Sequence, residues 1–83
     1  MRILYFAWVR ERTGTAEETV TPPATVTTAT ALADWLSERS DGHAAAFADR
    51  KRLRLAINQD QADFSDPVAA NDEIAFFPPM TGG

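Results

Sequence analysis

Cysteine is absent from the 83 residues. Its absence excludes disulfides, thiolate metal sites and cysteine nucleophiles together. There is one histidine, His43, so a histidine-built zinc centre or a Ser-His-Asp triad would have a single imidazole to use. Glycine occurs four times and forms no phosphate-cradling loop: Gly14 and Gly42 stand alone, and Gly82 and Gly83 are the last residues. No run approaches the roughly 18 apolar residues of a membrane span. Positive charge is in deficit, with 8 Lys+Arg against 12 Asp+Glu and a net charge of −4. That balance argues against nucleic acid as a partner, because phosphate binding needs a basic surface.

The length fits one small domain. Hydrophobic residues make up 45%, but 15 of them are alanine, so the larger apolar side chains must build the core. A domain of this size buries only roughly 60–65% of its unfolded surface, which leaves little room for a deep enclosed active site. At the N-terminus a charge precedes an apolar run, as in a signal peptide. The run is short, Arg10 ends it, and no small-residue cleavage site follows. A first strand is the better reading, and the chain is expected to be cytoplasmic.

Residues 2–8 are rich in strand-forming side chains that are apolar on both faces, as in a strand buried on both sides. Thr13-Gly14-Thr15 reads as a turn, and residues 16–21 as a more polar second strand, hairpin-paired with the first and stopped by Pro22-Pro23. Residues 28–39 read as the main helix: Ala29, Leu32, Ala33 and Leu36 share a face, Thr27 or Thr28 can cap the start, and Gly42 ends the element. Residues 44–51 could add a short helix. Leu53, Leu55 and Ile57 alternate with Arg54 and Ala56 as a strand. Residues 58–61 are a turn, 62–64 pair back briefly, and Glu73-Ile74-Ala75-Phe76-Phe77 is the last strand, ended by Pro78-Pro79. This order suggests an α+β chain of the β-grasp, ubiquitin-like class, with a mixed sheet on one main helix. Its first and last strands pair centrally and in parallel. Residues 1–77 form the domain and 78–83 an extended tail.

The catalytic inventory is thin. Asp60, Asp63, Asp66, Asp72 and Glu73 lack the glycine and spacing of a calcium loop and read as turn solvation. His43 is expected in a loop, with no partner nearby. Trp8 and Trp35 are expected in or near the core. The basic run Arg50-Lys51-Arg52-Leu53-Arg54 reads first as a solvated entry into a strand whose charges blunt an edge. The alternative is a docking patch for an acidic protein or a nucleotide.

The terminal Gly82-Gly83 follows a stiff Pro78-Pro79. Six extended residues would reach roughly 20 Å. Two residues without Cβ would let the tip pass a narrow channel. An α-carboxylate is ionised at neutral pH, with a pKa near 3.5, and is a poor electrophile until activated. After activation as an acyl-adenylate, a sulfur nucleophile would give a thiocarboxylate and an amine would give an amide. With no cysteine, any sulfur carried must come from outside and sit on Gly83.

The ending Asp72-Glu73-Ile74-Ala75-Phe76-Phe77-Pro78-Pro79-Met80-Thr81-Gly82-Gly83 resembles that of the small, sulfur-carrier subunits of molybdopterin synthase (MoaD type). So do Ile3-Leu4-Tyr5-Phe6-Ala7, followed by Val9-Arg10-Glu11 and Gly14, and Ala56-Ile57-Asn58-Gln59. The resemblance covers the whole chain. It implies that a ubiquitin-activating-like adenylyltransferase uses ATP to adenylate Gly83, with no cofactor bound permanently to this chain. A sulfurtransferase system then makes the thiocarboxylate. It further implies that the tail enters the large subunit of the synthase, a heterotetramer with two copies of each subunit, and gives sulfur to cyclic pyranopterin monophosphate. On this resemblance Gly83 carries the sulfur, Gly82 is the narrow neck, and Thr81, Met80, Pro79 and Pro78 lie in the partner's channel. Phe77 or Phe76, whichever faces out of the core, meets the partner. The chain would thus be the sulfur-donating subunit of an enzyme whose catalytic side chains are mostly on the large subunit. Met80 stands where many members carry a smaller β-branched residue, and Asn71 where a glycine is common. The competing readings are a sulfur carrier for thiamine or cysteine synthesis, a ubiquitin-like protein modifier, and a plain β-grasp binding module.

Overall fold

The computed structural model describes residues 1–79. In chain order it contains β1 (Arg2–Tyr5), α1 (Ala7–Thr13), β2 (Glu17–Thr19), α2 (Ala29–Ser37) and α3 (Asp41–Ala46). A 3-10 turn (Arg50–Arg52), β3 (Arg54–Ile57), β4 (Asp60–Ala62) and β5 (Glu73–Phe77) follow. The strands form one sheet in the order β2-β1-β5-β3-β4. β1 and β5 run parallel, with Ile3 opposite Ile74 and Tyr5 opposite Phe76. The other three pairings are antiparallel.

Strand alternation separates two faces. Ile3, Tyr5, Leu55, Ile74 and Phe76 point inward and are at most 1% exposed. The helices cover them with Val9, Leu32, Leu36 and Phe47. The Phe47 and Phe76 rings meet edge to face at 4.9 Å, and Tyr5 stacks on Phe76 at 6.3 Å. Each fully buried side chain of this size stabilises the fold by roughly 1.5–3 kcal/mol.

The sequence expectation holds for α2, whose buried face is Ala29, Leu32, Ala33 and Leu36 and whose Thr28 hydroxyl accepts from the Ala31 N–H at 3.1 Å. It fails in the segment after β1. The first strand stops at Tyr5, and residues 7–13 are helical rather than extended. β1 and β2 therefore pair antiparallel across a helical excursion, not a hairpin. Gly14 is the left-handed cap of that helix (φ 81°), donating its N–H to the Arg10 carbonyl at 2.9 Å. The apolar run through Ala7-Trp8-Val9 hid the change of period, because seven residues make only two helical turns. α2 is the longest helix, as expected, and α1 and α3 pack against each other beside it; the short helix anticipated at 44–51 is α3 at 41–46, followed by the 3-10 turn.

Gly42 does not end a helix. Ser40 caps α3, accepting from the His43 N–H at 3.1 Å, and Gly42 lies inside the first turn. A Cβ at Gly42 would sit 2.1 Å from the Arg12 carbonyl oxygen, so only glycine lets α3 approach α1 this closely. The β3–β4 connection has positive φ at both Asn58 (52°) and Gln59 (72°), the signature of a type I′ hairpin turn. Asn58 also ties that turn to β5: its backbone N–H donates to the Glu73 carbonyl at 2.7 Å, and its side-chain oxygen accepts from the Glu73 N–H at 3.0 Å. The acidic residues between the last two strands are turn makers, as expected. Asp66 accepts from the Asp63 N–H and Asp72 from the Ala69 N–H.

Replacing Gly42 with Ala is expected to destabilise the fold by roughly 1–3 kcal/mol, as an overpacked contact against backbone. Chemical denaturation of the two proteins checks this. Equal midpoints would remove the close α1–α3 approach from the account.

Candidate functional site

The residues singled out at the end of the chain divide by strand alternation. Phe76 is fully buried, so the expectation that it could face a partner is corrected: it is a core residue. Phe77 is half-buried on the opposite face, across from Arg54. Pro78 and Pro79 follow it, both half-buried. The readings for Met80, Thr81, Gly82 and Gly83 lie outside the described residues.

β5 lies between β1 and β3. A tail leaving its end therefore departs from the middle of the sheet, not from a frayed margin. On the outward face Leu4, Ala75 and Ala56 stand side by side across three strands, all half-buried. Phe6 extends this apolar row toward the tail. Its backbone is still extended (φ −126°, ψ 153°), and its N–H donates to the Phe76 carbonyl at 3.1 Å, so it lies beside Phe77. At 48% exposure it is the large apolar side chain most open to solvent among the described residues. The next residue, Ala7, takes φ 52°, a left-handed conformation that costs a non-glycine residue about 1–2 kcal/mol. Such strain persists where surrounding contacts enforce it and clusters at functional sites. Sequence reasoning missed Phe6 because it belonged to an apolar run read as buried. The signal available was the capping glycine at 14 with Arg10 and Arg12 in the turn before it, which marks a helix starting directly after Phe6.

At the opposite end of the outward face Arg2 pairs with Glu17 at 2.7 Å and Glu73 at 3.6 Å. The face is thus apolar at its centre and toward the tail, and charged away from it. Among the described residues no cluster of His, Cys, Asp or Glu could hold a metal. No helix there is long and apolar enough to cross a membrane.

His43 is not in a loop. It is buried in α3, with Nε2 2.7 Å from Glu18 Oε2 and Nδ1 2.7 Å from Ser40 Oγ. The Tyr5 hydroxyl donates to the same Glu18 oxygen at 2.7 Å, and Arg39 approaches the other at 3.2 Å. The chain Ser40–His43–Glu18 has the composition of a nucleophile triad. However, Ser40 Oγ also accepts the His43 N–H as a helix cap, and Glu18 is held by Tyr5 and Arg39. Its task is structural: it joins β1, β2 and α3 with the segment between α2 and α3. Burial alone would raise the Glu18 pKa. The hydrogen bonds from His43 and Tyr5 and the Arg39 charge outweigh burial and hold it below the ordinary 4.5. Burial, followed by the bond to Glu18, pushes the Tyr5 hydroxyl well above its ordinary 10.

A model of the ThiS family matches residues 3–83. The chain belongs to the ThiS family. It is similar to the molybdopterin synthase sulfur carrier subunit of Escherichia coli K12, with 42% identity over 83 residues, covering 100% of this chain and 99% of that protein. The human protein of the same name is 31% identical over 86 residues, covering 100% and 93%. Among solved structures, SAMP1 from Haloferax volcanii aligns with a TM-score of 0.75 at 26% identity, over 100% of this chain and 98% of that one. A putative molybdopterin converting factor, subunit 1, from Pyrococcus furiosus gives 0.77 at 22% identity, over 95% of each chain, and shares the fold. The β-grasp, ubiquitin-like reading is the architecture of this ThiS-family chain, with the first and last strands central and parallel.

Two outcomes follow from the site. Phe76→Ala is expected to lower stability by roughly 3–5 kcal/mol as a core truncation, while Phe77→Ala changes the unfolding midpoint far less and weakens partner binding instead. Denaturation and binding titration of both variants separate these roles. Lowered in the folded state, the Glu18 carboxyl contributes stability that is full above about pH 4.5 and lost as pH falls below it. Raised, Tyr5 contributes stability that is full below about pH 10 and lost above it. Unfolding midpoints across pH should therefore fall off less steeply on the acid side in Glu18→Gln than in the wild type. Parallel profiles would contradict the network.

Proposed function

We propose that this ThiS-family chain is the sulfur carrier subunit of a molybdopterin synthase, with Gly83 as the atom-bearing terminus. The observation that carries the reading is the full-length 42% identity to a protein of that name, joined to a last strand that ends in Phe77-Pro78-Pro79 at the centre of the sheet.

The chemistry asks little of this chain's side chains. An oxygen of the Gly83 carboxylate attacks the α-phosphorus of ATP held by the adenylyltransferase partner, and pyrophosphate leaves. The terminal sulfur of a donor persulfide attacks the resulting acyl carbon and AMP leaves; a thiol of the donor system then cleaves the acyl disulfide, forming a disulfide on the donor and freeing the thiocarboxylate. In the large subunit that sulfur attacks cyclic pyranopterin monophosphate in the course of dithiolene formation. Water then cleaves the acyl C–S bond of the thioester so formed, which leaves the sulfur on the substrate and returns the carboxylate. Pro78 and Pro79 restrict the backbone at the tail root, Gly82 and Gly83 fit a narrow channel, and Phe6 and Phe77 give the partners an apolar footing beside it. The paired assembly, with two copies of each subunit, belongs to the same reading.

Incubation with ATP, the activating enzyme and a sulfur donor should make the C-terminus reactive to a thiol alkylator. With no cysteine in the chain, an alkylated C-terminal fragment found by mass spectrometry can come only from the thiocarboxylate. Deleting Gly82-Gly83 should abolish sulfur transfer and leave the unfolding midpoint near that of the full chain. Molybdopterin synthesis by the truncated chain would overturn the reading. Amide-linked conjugates that survive reducing denaturation would favour a protein modifier instead.

A further inference from the structure

A cleft of about 400 Å³, lined by Trp8, Arg12, Asp49 and Arg52, lies between α1 and the segment entering β3, at the end of the sheet where β5 finishes. Strand register places it there. Tyr5 opposite Phe76 and Arg54 opposite Phe77 set the start of α1 and the segment entering β3 at the end of the sheet where β5 finishes. Six of the chain's 8 cationic side chains (Arg10, Arg12, Arg50, Lys51, Arg52 and Arg54) belong to α1 and the segment entering β3, although the chain as a whole is at −4. Their charges are mostly uncompensated. Arg12 lies over the Trp8 ring at 4.5 Å and donates to the Ala45 carbonyl at 3.4 Å. Arg54 donates to the carbonyls of Lys51 and Leu53, each at 3.1 Å. These contacts fix the guanidiniums without neutralising them. Among the described residues only Arg50 of this group has a carboxylate partner, Asp34 at 2.6 Å. Asp49, the acidic residue in the cleft, is engaged as the cap of the 3-10 turn, accepting from the Lys51 N–H at 3.2 Å. Edge protection does not account for the run, because β3 is interior, flanked by β5 and β4.

We propose that this cleft receives acidic side chains from the proteins that take the tail, so that an Asp- or Glu-bearing segment at the mouth of the partner's channel seats on Arg12 and Arg52 beside Trp8, with Lys51 next to Arg52 in the same cationic run. The identity of those proteins rests on the sulfur-carrier reading; the preference for carboxylates does not. Pre-placed guanidiniums suit a carboxylate in two-point contact. The surrounding negative charge disfavours a long polyanion such as RNA. A rim contact of this kind acts chiefly on the rate of association and makes it fall with salt.

The test uses the full chain and a Lys51→Glu, Arg52→Glu variant. A hexaglutamate peptide titrated into each, followed through the Trp8 indole resonance, should bind the wild type and lose binding by tenfold or more in the variant. Equal shifts in both proteins, or preferential binding of AMP or a short RNA, would overturn the proposal without touching the carrier reading. With the adenylyltransferase, wild-type association should slow steeply between about 50 and 300 mM salt. The variant should associate about tenfold more slowly with a shallower salt dependence, while its thiocarboxylation rate at saturating carrier stays unchanged. Wild-type association that ignores salt would overturn the proposal whether or not the variant folds. A wild type that acquires no alkylatable terminus would instead overturn the carrier reading, leaving the peptide titration to decide the cleft.

Discussion

The parallel ladder between the first and last strands is the constraint on which the rest of this structure depends. It places Ile3 against Ile74 and Tyr5 against Phe76, and those four side chains form the floor onto which the helices pack. Parallel neighbours cannot be joined by a tight turn, so the intervening chain must leave the sheet and return. The helices and the β3–β4 hairpin are the means of that return. Because the ladder buries β5 between two neighbours, it also fixes where the chain's terminus emerges. Core packing and presentation of the tail are therefore one arrangement seen from two ends.

Much of this was legible in the residues. The apolar character of residues 2–8 and 73–77 announced two central strands, the first of which proves shorter, and the spacing of Leu32, Ala33 and Leu36 announced α2. The failures have physical reasons. Ala7-Trp8-Val9 continues an apolar run, and nothing in its composition says that the backbone turns left-handed at Ala7. The turn depends on hydrogen bonds from residues far along the chain: Tyr5 donates to the Ala16 carbonyl and Phe6 to that of Phe76. His43 was misplaced for the same kind of reason. Its partner Glu18 is 25 residues away in sequence, and no local pattern links the two.

The buried polar cluster and the open apolar face divide the labour within one small domain. Tyr5, Glu18, Ser40 and His43 spend their hydrogen bonds on each other, and every buried side-chain nitrogen and oxygen among the described residues has a partner. Such closure leaves the cluster no free polar atom with which to bind another molecule. What remains available to other molecules is the outward sheet face of Leu4, Ala56, Ala75, Phe6 and Phe77, and the guanidiniums of α1 and the segment entering β3.

The central position of β5 has a mechanical consequence. Under the proposed carrier function the tail enters a partner's channel and must be withdrawn, and withdrawal pulls along the axis of β5. That direction loads the hydrogen bonds to β1 and β3 together, in shear, rather than peeling them one at a time as from an edge strand. The two neighbouring ladders, four aligned residues each, share the force on both sides. A pull on the end of β5 is therefore resisted by both ladders at once, which under the proposed carrier function suits a chain handed intact from one partner to another.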